Sequence, residues 1–302
     1  MRVDRDLVLA VDRGRYLRWL ETLQAHAADV ALLAKVHAPE AAVALSPAKK
    51  SVGDIAVIRL SGFITQKPSL FTVLFGGTSA EQFAATVYAA MAEPSIGAVV
   101  LDVDSPGGEV FGVPEAAAVI RASRGSKPLV AISNPFMASA AYWLGSQADE
   151  IVALPSSLTG SIGVYAAHVS EEEALKKFGI EITEITYGRR KAEQSSAHPL
   201  SKEAKDAIER DLAYFGRMFE RDVAKARGTT AANVHSSYGE GSLFTAPDAK
   251  AAGMIDRVGT LDEVIGQLAS GRRSAVRAMA EADPVEMAAR AALAGLPPMR
   301  IE

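Results

Sequence analysis

The sequence predicts an α/β domain built on a mainly parallel β-sheet. From about residue 54, short β-branched runs alternate with Ala-rich helical segments, which is the α/β pattern. The runs near residues 100, 130 and 150 are almost entirely apolar, as strands covered on both faces must be. We therefore expect parallel strands joined by right-handed helical crossovers.

The individual elements follow from periodicity and from the stop signals between the runs. Five strands are predicted, at 55–64, 97–104, 128–133, 150–155 and 180–186. Helices fit between and after them, at 79–93, 113–123, 138–147, 171–178 and 200–228. The last of these is long and amphipathic, and Gly228 provides its stop.

The chain divides into four predicted regions. Residues 1–36 carry apolar side chains at helical spacing and are predicted to form a helical extension. The Ala/Pro/Lys stretch 37–53 is predicted to be a linker, and 54–270 the main domain. Residues 271–302 are rich in Ala, Arg and Met and are predicted to form a helical or flexible tail.

Composition excludes several classes of function. The 302 residues include no cysteine, so disulfides, thiolate metal sites and cysteine nucleophiles are excluded. A net charge of −4 without a clustered basic face argues against nucleic-acid binding. Charges interrupt every apolar run near the N-terminus, so we expect neither a signal peptide nor membrane insertion, and a cytoplasmic location.

A Pro-Gly-Gly turn is the first candidate for chemistry. In LDVDSPGGEVFG, residues 101–112, an apolar strand ends at Gly107 and Gly108 before a helix begins. Consecutive glycines allow a ligand to approach the backbone closely, and their amides can stabilise an oxyanion. An ordinary strand-to-helix turn would produce the same pattern.

Ser139 is the candidate nucleophile. It lies among small residues at the start of the helix that follows the strand PLVAIS. The carboxyl ends of neighbouring parallel strands meet at one edge of a sheet, where such sheets bind ligands. Ser139 and the glycine turn should therefore face the same cleft, although a serine in an Ala-rich helix is often only a tolerated small residue.

A serine nucleophile needs a base, and two residues compete for that role. His168 follows the run SIGVYAA and would act with an unidentified acid. Lys191 follows the predicted strand 180–186 in a cluster with Arg189 and Arg190. A lysine base must be neutral, which requires burial or nearby like charges to lower its pKa.

Taken together, these motifs resemble the signal peptide peptidase family of serine peptidases, whose fold is shared with the Clp protease subunit and the crotonases. The resemblance covers residues 55–265 and includes DSPGG, MASAAYW and TGSIGV. Two later segments also match, GRRKAEQSSAHPLS at 188–201 and LFTAPDAKAAGMIDRVGT at 243–260. It implies a Ser-Lys dyad of Ser139 and Lys191, with Ser161 contacting the lysine.

The resemblance also implies a mechanism and partners. Amides of Gly107 or Gly108 and of Ala140 would hold the oxyanion, and the reaction would need no metal or cofactor. The substrate would be extended polypeptide, and the protein a homo-oligomer. Within the family the sequence is most similar to the phage protein C branch, head maturation proteases that trim scaffold and portal proteins, acting in the host cytoplasm or prohead.

Three other functions stay open at this point. A soluble bacterial signal-peptide-peptidase-like enzyme would use the same dyad to degrade peptides. A crotonase-type acyl-CoA enzyme would use the same glycine amides, with Glu109 as the candidate carboxylate beside the turn. A catalytically silent assembly protein would tolerate Ser139→Ala without loss of function.

Overall fold

The architecture is a single mixed β-sheet with helices packed on both faces. The computed structural model describes residues 9–11, 43–46, 54–68, 72 and 76–281. Its strands are β1 Leu9–Val11, β2 Val43–Ser46, β3 Asp54–Thr65, β4 Thr78–Ser79, β5 Ile96–Glu109, β6 Leu129–Ala138, β7 Glu150–Ala153, β8 Leu158–Gly160, β9 Leu243–Thr245 and β10 Arg257–Val258. Its helices are α1 Ala80–Ala92, α2 Val113–Ala122, α3 Ala140–Gly145, α4 Glu172–Lys177, α5 Lys202–Arg227, α6 Ala231–Ser237, α7 Ala246–Ala251 and α8 Leu261–Glu281.

The centre of the sheet is parallel, in the order β10-β7-β6-β5-β3, and β2 closes the far edge antiparallel to β3. The central strand β5 pairs with both β3 and β6, so that Leu101 lies opposite Ile58 and Ala131. β6 departs from regular register where Asn134 and Pro135 bulge out between the pairs made by Ser133 and Phe136. Beyond that bulge β6 runs on to the helix start that carries Ser139.

Successive residues of the central strands point to opposite faces and fill two separate cores. On one face, Leu101 and its neighbours pack against α1, α2, α3 and the C-terminal half of α5. On the other face, Val100 and Val130 pack against Val264 of α8. Both faces of these strands are therefore covered, which explains their continuous apolar sequence.

Polar side chains fix where several helices begin. Ser79 accepts a hydrogen bond from the Gln82 amide at the start of α1, and Ser201 accepts one from Ala204 at the start of α5. α5 ends at Gly228, which adopts a left-handed conformation with φ 63°. The long helix thus has the bounds that its sequence signals predict.

The α/β fold class and four of the five predicted strands are confirmed. The fifth, at 180–186, is wrong: these residues form no strand and lie exposed outside the sheet. Their alternation of isoleucine with polar residues is typical of a strand, but no described strand of this chain pairs with them. Ile185 is 94% exposed as a result.

The structure also differs from the prediction near the N-terminus. Leu9–Val11 lies inside the predicted helical extension but pairs with β5 as a strand. Val43–Ser46 lies inside the predicted linker but pairs with β3. The remainder of 1–53 and all of 282–302 lie outside the described residues, so the four-region division stays a prediction. Across the described ranges, no helix combines the length and apolar character needed to cross a membrane.

Candidate active site

Ser139 lies at the junction between β6 and α3 in a strained backbone conformation. Its φ of 53° and ψ of −122° fall where a non-glycine residue is rarely found. Such strain costs about 1–3 kcal/mol and persists mainly at functional sites. The side chain is 1% exposed, and its Oγ donates a long hydrogen bond of 3.5 Å to the carbonyl of Gly163.

The neighbouring strand β8 brings Ser161 beside Ser139. The Ser139 amide donates to the carbonyl of Gly160 at 2.7 Å, and Gly160 is the residue directly before Ser161. Ser161 also has a positive φ, of 55°, and its amide donates to the carbonyl of Ser242 at 2.7 Å. The two serines therefore occupy matching strained positions at the ends of adjacent parallel strands.

The glycine turn lies at the end of β5, next to the end of β6. A Cβ at Gly108 would lie 1.9 Å from the carbonyl oxygen of Ile64, so only glycine fits there. The Gly107 amide donates to Ser105 Oγ at 3.2 Å, and that hydroxyl donates to the carbonyl of Gly62 at 2.6 Å. The Gly107 amide therefore already has an acceptor within the turn.

Ala140 is the first residue of α3. The first hydrogen bond of that helix runs from the Trp143 amide to the carbonyl of Ser139, at 2.9 Å. The Ala140 amide precedes this bond, so the helix supplies no acceptor for it. It can serve as the second oxyanion donor, directly beside the serine hydroxyl.

Among the described residues, no hydrogen bond joins Lys191 to Ser139: the lysine is exposed, whereas the serine is buried. Lys191 lies on an exposed turn, where its amide donates to the carbonyl of Gly188 at 3.0 Å. Arg190 pairs with Glu193 at 2.7 Å, and this hydrogen bond raises the pKa of the guanidinium. The carboxylate offsets the positive charge that we expected to act on Lys191.

The His168 side chain contacts the segment that follows Lys191, not Ser139. Its Nε2 lies 3.1 Å from the carbonyl oxygen of Ser195. A carbonyl can only accept, so Nε2 carries the proton and is not the nitrogen that could act as a base. The Glu171 amide adds a second tie by donating to the carbonyl of Ser196 at 2.7 Å. These contacts anchor the segment after Lys191.

An ion pair joins the motif at 243–260 to the sheet. Asp256, in the segment GMIDRVGT, accepts from Arg227 Nη2 at 2.7 Å and from the Ile151 amide of β7 at 2.7 Å. Burial alone would raise the pKa of the Asp256 carboxyl, but these hydrogen bonds outweigh it and lower the pKa. Tyr142 of α3 donates to the carbonyl of Met254, and burial raises the pKa of its phenol. This motif therefore positions α3 and β7.

Sequence reasoning missed Gly160, Ser105 and β1. Gly160 supplies the carbonyl that fixes the Ser139 amide, and its φ of 123° gives its place in TGSIGV a physical reason. Ser105 is fully buried and ties the glycine turn to Gly62. No pattern signalled β1, because three residues carry no periodicity. Within the described residues, no cluster of three or more His, Asp or Glu side chains could hold a metal ion.

Comparison with known proteins finds proteases among the relatives of this chain. The chain is 32% identical to Protease 4 of Salmonella typhi over 218 residues, which is 72% of this chain and 34% of that protein. It is 28% identical to capsid assembly protease C of Escherichia phage lambda over 207 residues, 68% of this chain and 47% of that one. The chain thus spans between a third and a half of the length of these relatives.

Among solved structures, the ClpP protease catalytic domain from Plasmodium falciparum is similar with a TM-score of 0.41 and 13% identity. The similarity covers 68% of this chain and 85% of that one. The model of peptidase family S49 matches residues 121–274, half of the chain, and this range contains Ser139, Ser161 and Lys191. The protein belongs to peptidase family S49.

Proposed function

We propose that this protein is a serine endopeptidase with Ser139 as nucleophile and Lys191 as general base. The observation that carries the proposal is the buried, strained Ser139 at the end of β6, beside the glycine turn of β5. Strain at a serine whose hydroxyl has only a long hydrogen bond favours a reactive role over a packing role. Family membership supports the same chemistry.

The mechanism is acyl transfer in two steps. Neutral Lys191 accepts the Ser139 proton as Oγ bonds to the substrate carbonyl carbon, and the amides of Gly108 and Ala140 stabilise the oxyanion. The lysine ammonium then protonates the leaving amine as the peptide bond breaks. Water, deprotonated by the same amine, releases the acyl group from Ser139. Ser161 orients the lysine.

We further propose that the dyad is completed between two chains. Lys191 is exposed in one chain, whereas a lysine acts as a general base from a site that excludes water. The segment before it presents exposed Phe178, Ile180, Ile185 and Tyr187, an apolar surface that a partner chain would cover. Burial against that partner would also remove water from around Lys191, as a lysine base requires.

The substrate class we propose is extended polypeptide, with scaffold or portal proteins of a phage head as natural partners. The similarity to a phage protein named a capsid assembly protease supports this branch. On this proposal the protein acts in the host cytoplasm or the prohead. Similarity to Protease 4 supports the alternative, a host peptidase that degrades peptides.

Cleavage of an unfolded polypeptide tests the dyad. Wild type should generate new N-termini detectable by mass spectrometry, and Ser139→Ala and Lys191→Ala should each lower the rate at least about a thousandfold. His168→Ala is the comparison variant: it removes a contact that anchors the segment after Lys191, so it should slow cleavage without abolishing it. Cleavage by Lys191→Ala but not by His168→Ala would make histidine the base. An inert wild type would favour the silent assembly protein.

Mixing the two inactive variants tests where the lysine comes from. If the dyad forms between chains, Ser139→Ala supplies the lysine and Lys191→Ala supplies the serine, so the mixture regains activity. Each variant alone stays inactive and is its own control. A mixture without activity, from variants that assemble as wild type does, would place both residues of the dyad in one chain.

A further inference from the structure

β1 lies on the free edge of β5 beside the candidate nucleophile. It pairs antiparallel with β5, with Ala10 opposite Gly108 and Val11 opposite Gly107. The other edge of β5 is occupied at the same level by β3, where Phe63 and Ile64 lie opposite these glycines. A strand has only two edges, so β1 must lie on the second edge of β5, the edge that pairs with β6 earlier along the strand.

The register of β6 places β1 level with Ser139. β6 pairs with β5 up to Met137, which lies opposite Ser105. Ser139 follows Met137 by two residues, just as Gly107 follows Ser105 by two, so Ser139 is level with Gly107. Val11 of β1 lies opposite this same Gly107. β6 turns away into α3 at this point, and β1 fills the edge that β6 has left.

This is the place where an extended polypeptide would bind. A peptide that reaches Ser139 with its carbonyl near Gly108 must pass along the same free edge of β5. Proteins commonly hold extended peptides by adding them as a strand to such an edge, through main-chain hydrogen bonds. β1 and a substrate strand would use the same backbone groups, so both cannot be present.

We infer that Leu9–Val11 occupies the substrate-binding edge of its own chain and competes with polypeptide substrate. Competition with substrate rests on the proposed peptidase function, whereas the docking of β1 on β5 does not. The occupant is part of this chain, so its effective concentration stays high when the protein is diluted. Substrate therefore binds only in the fraction of molecules in which β1 has left the edge.

A disulfide trap tests the docking in a chain that has no cysteine of its own. Leu9 lies opposite Glu109, and directly opposed Cα atoms are about 4.5–5.5 Å apart, within disulfide reach. Leu9→Cys combined with Glu109→Cys should oxidise to a monomeric crosslink, seen on a non-reducing gel. Leu9→Cys with Glu115→Cys on α2 is the out-of-register control and should not. A crosslinked dimer, or no crosslink, would overturn docking within one chain.

A fluorophosphonate that labels reactive serines tests the competition on the same variant. Labelling of Ser139 should fall about tenfold or more in the oxidised form and return when the disulfide is reduced. Equal labelling of both forms would overturn the inference. If wild type is not labelled but the crosslink forms, the peptidase proposal fails and the docking stands.

Hydrogen exchange of wild type gives a second measurement if Glu109→Cys does not fold. Amides in residues 9–11 should exchange slowly, and should exchange faster once a peptidyl phosphonate fills the site at Ser139. Exchange at the rate of an unfolded peptide, with no change on labelling, would overturn the inference.

Discussion

The conformation of Ser139 has a cost that substitution can reveal. Ser139→Gly and Ser139→Ala both remove the hydroxyl and its bond to Gly163, but only glycine adopts φ 53° without strain. We expect Ser139→Gly to be about 1 kcal/mol more stable than Ser139→Ala in urea unfolding, and both to be inactive.

Ser146 is the control position for that comparison. It is also buried, at the end of α3, but has an ordinary φ of −63°. There the glycine variant should be the less stable of the two, because glycine loses more backbone entropy on folding. If glycine and alanine rank the same way at both positions, the backbone at Ser139 is not strained.

Asp256 makes stability depend on pH. Its pKa is lower in the folded chain than its ordinary value of 3.8, because Arg227 and the Ile151 amide donate to it. A lowered pKa contributes stability above about pH 4 that is lost as the pH falls through the folded value. Asp256→Asn should lower the free energy of unfolding by about 2 kcal/mol at pH 7. Breaking a fully buried ion pair would cost more, but this carboxylate is partly exposed.

Urea unfolding at pH 7 and pH 3 measures this effect. The difference between wild type and Asp256→Asn should shrink at pH 3. Asp206→Asn is the control, because Asp206 pairs with Lys202 at 2.7 Å on the exposed face of α5 and should change stability by less than about 0.5 kcal/mol. A difference that is constant between the two pH values would contradict the assigned pKa direction.

The segment 178–187 exposes large apolar side chains that no other part of a single chain covers. Ile185 packs against little in its own chain, so Ile185→Asp should leave the free energy of unfolding within about 0.5 kcal/mol. If the segment is an interface, the charge should weaken self-association about tenfold or more. Light scattering during gel filtration measures the mass. Tyr88→Asp, at another exposed apolar position on α1, is the control; equal masses for Ile185→Asp and wild type would exclude this interface.

The amino-acid sequence predicts the central strands, because their burial on both faces is visible in their own apolar residues. Strands such as β5 are apolar throughout because helices cover both faces, and that pattern is visible without a partner. β1 and β2 were not predicted as strands, since short strands are defined by the edge they join. Segment 180–186 has strand periodicity but pairs with no described strand. Ser139 and the glycine turn were expected to share a cleft because they follow neighbouring parallel strands, and β5 and β6 are indeed adjacent. Ser161 was named only through the family resemblance, because the three-residue β8 has no sequence signal of its own.

At the scale of the whole molecule, the proposal that Lys191 acts on Ser139 of a second chain predicts that activity depends on assembly. A serine site formed inside one chain would give a constant rate per chain at every protein concentration. A dyad formed by Ser139 of one chain and Lys191 of another requires association, so the rate per chain should rise with concentration and then level off. We would dilute the protein serially between about 10 µM and 10 nM, a range that spans common dissociation constants. Cleavage of a polypeptide whose fluorescence is quenched until it is cut measures the rate. Ile185→Asp should move this curve to higher concentration by the factor by which it weakens association, and reach the same plateau. A flat curve for both proteins would mean that the lysine segment closes onto Ser139 of its own chain.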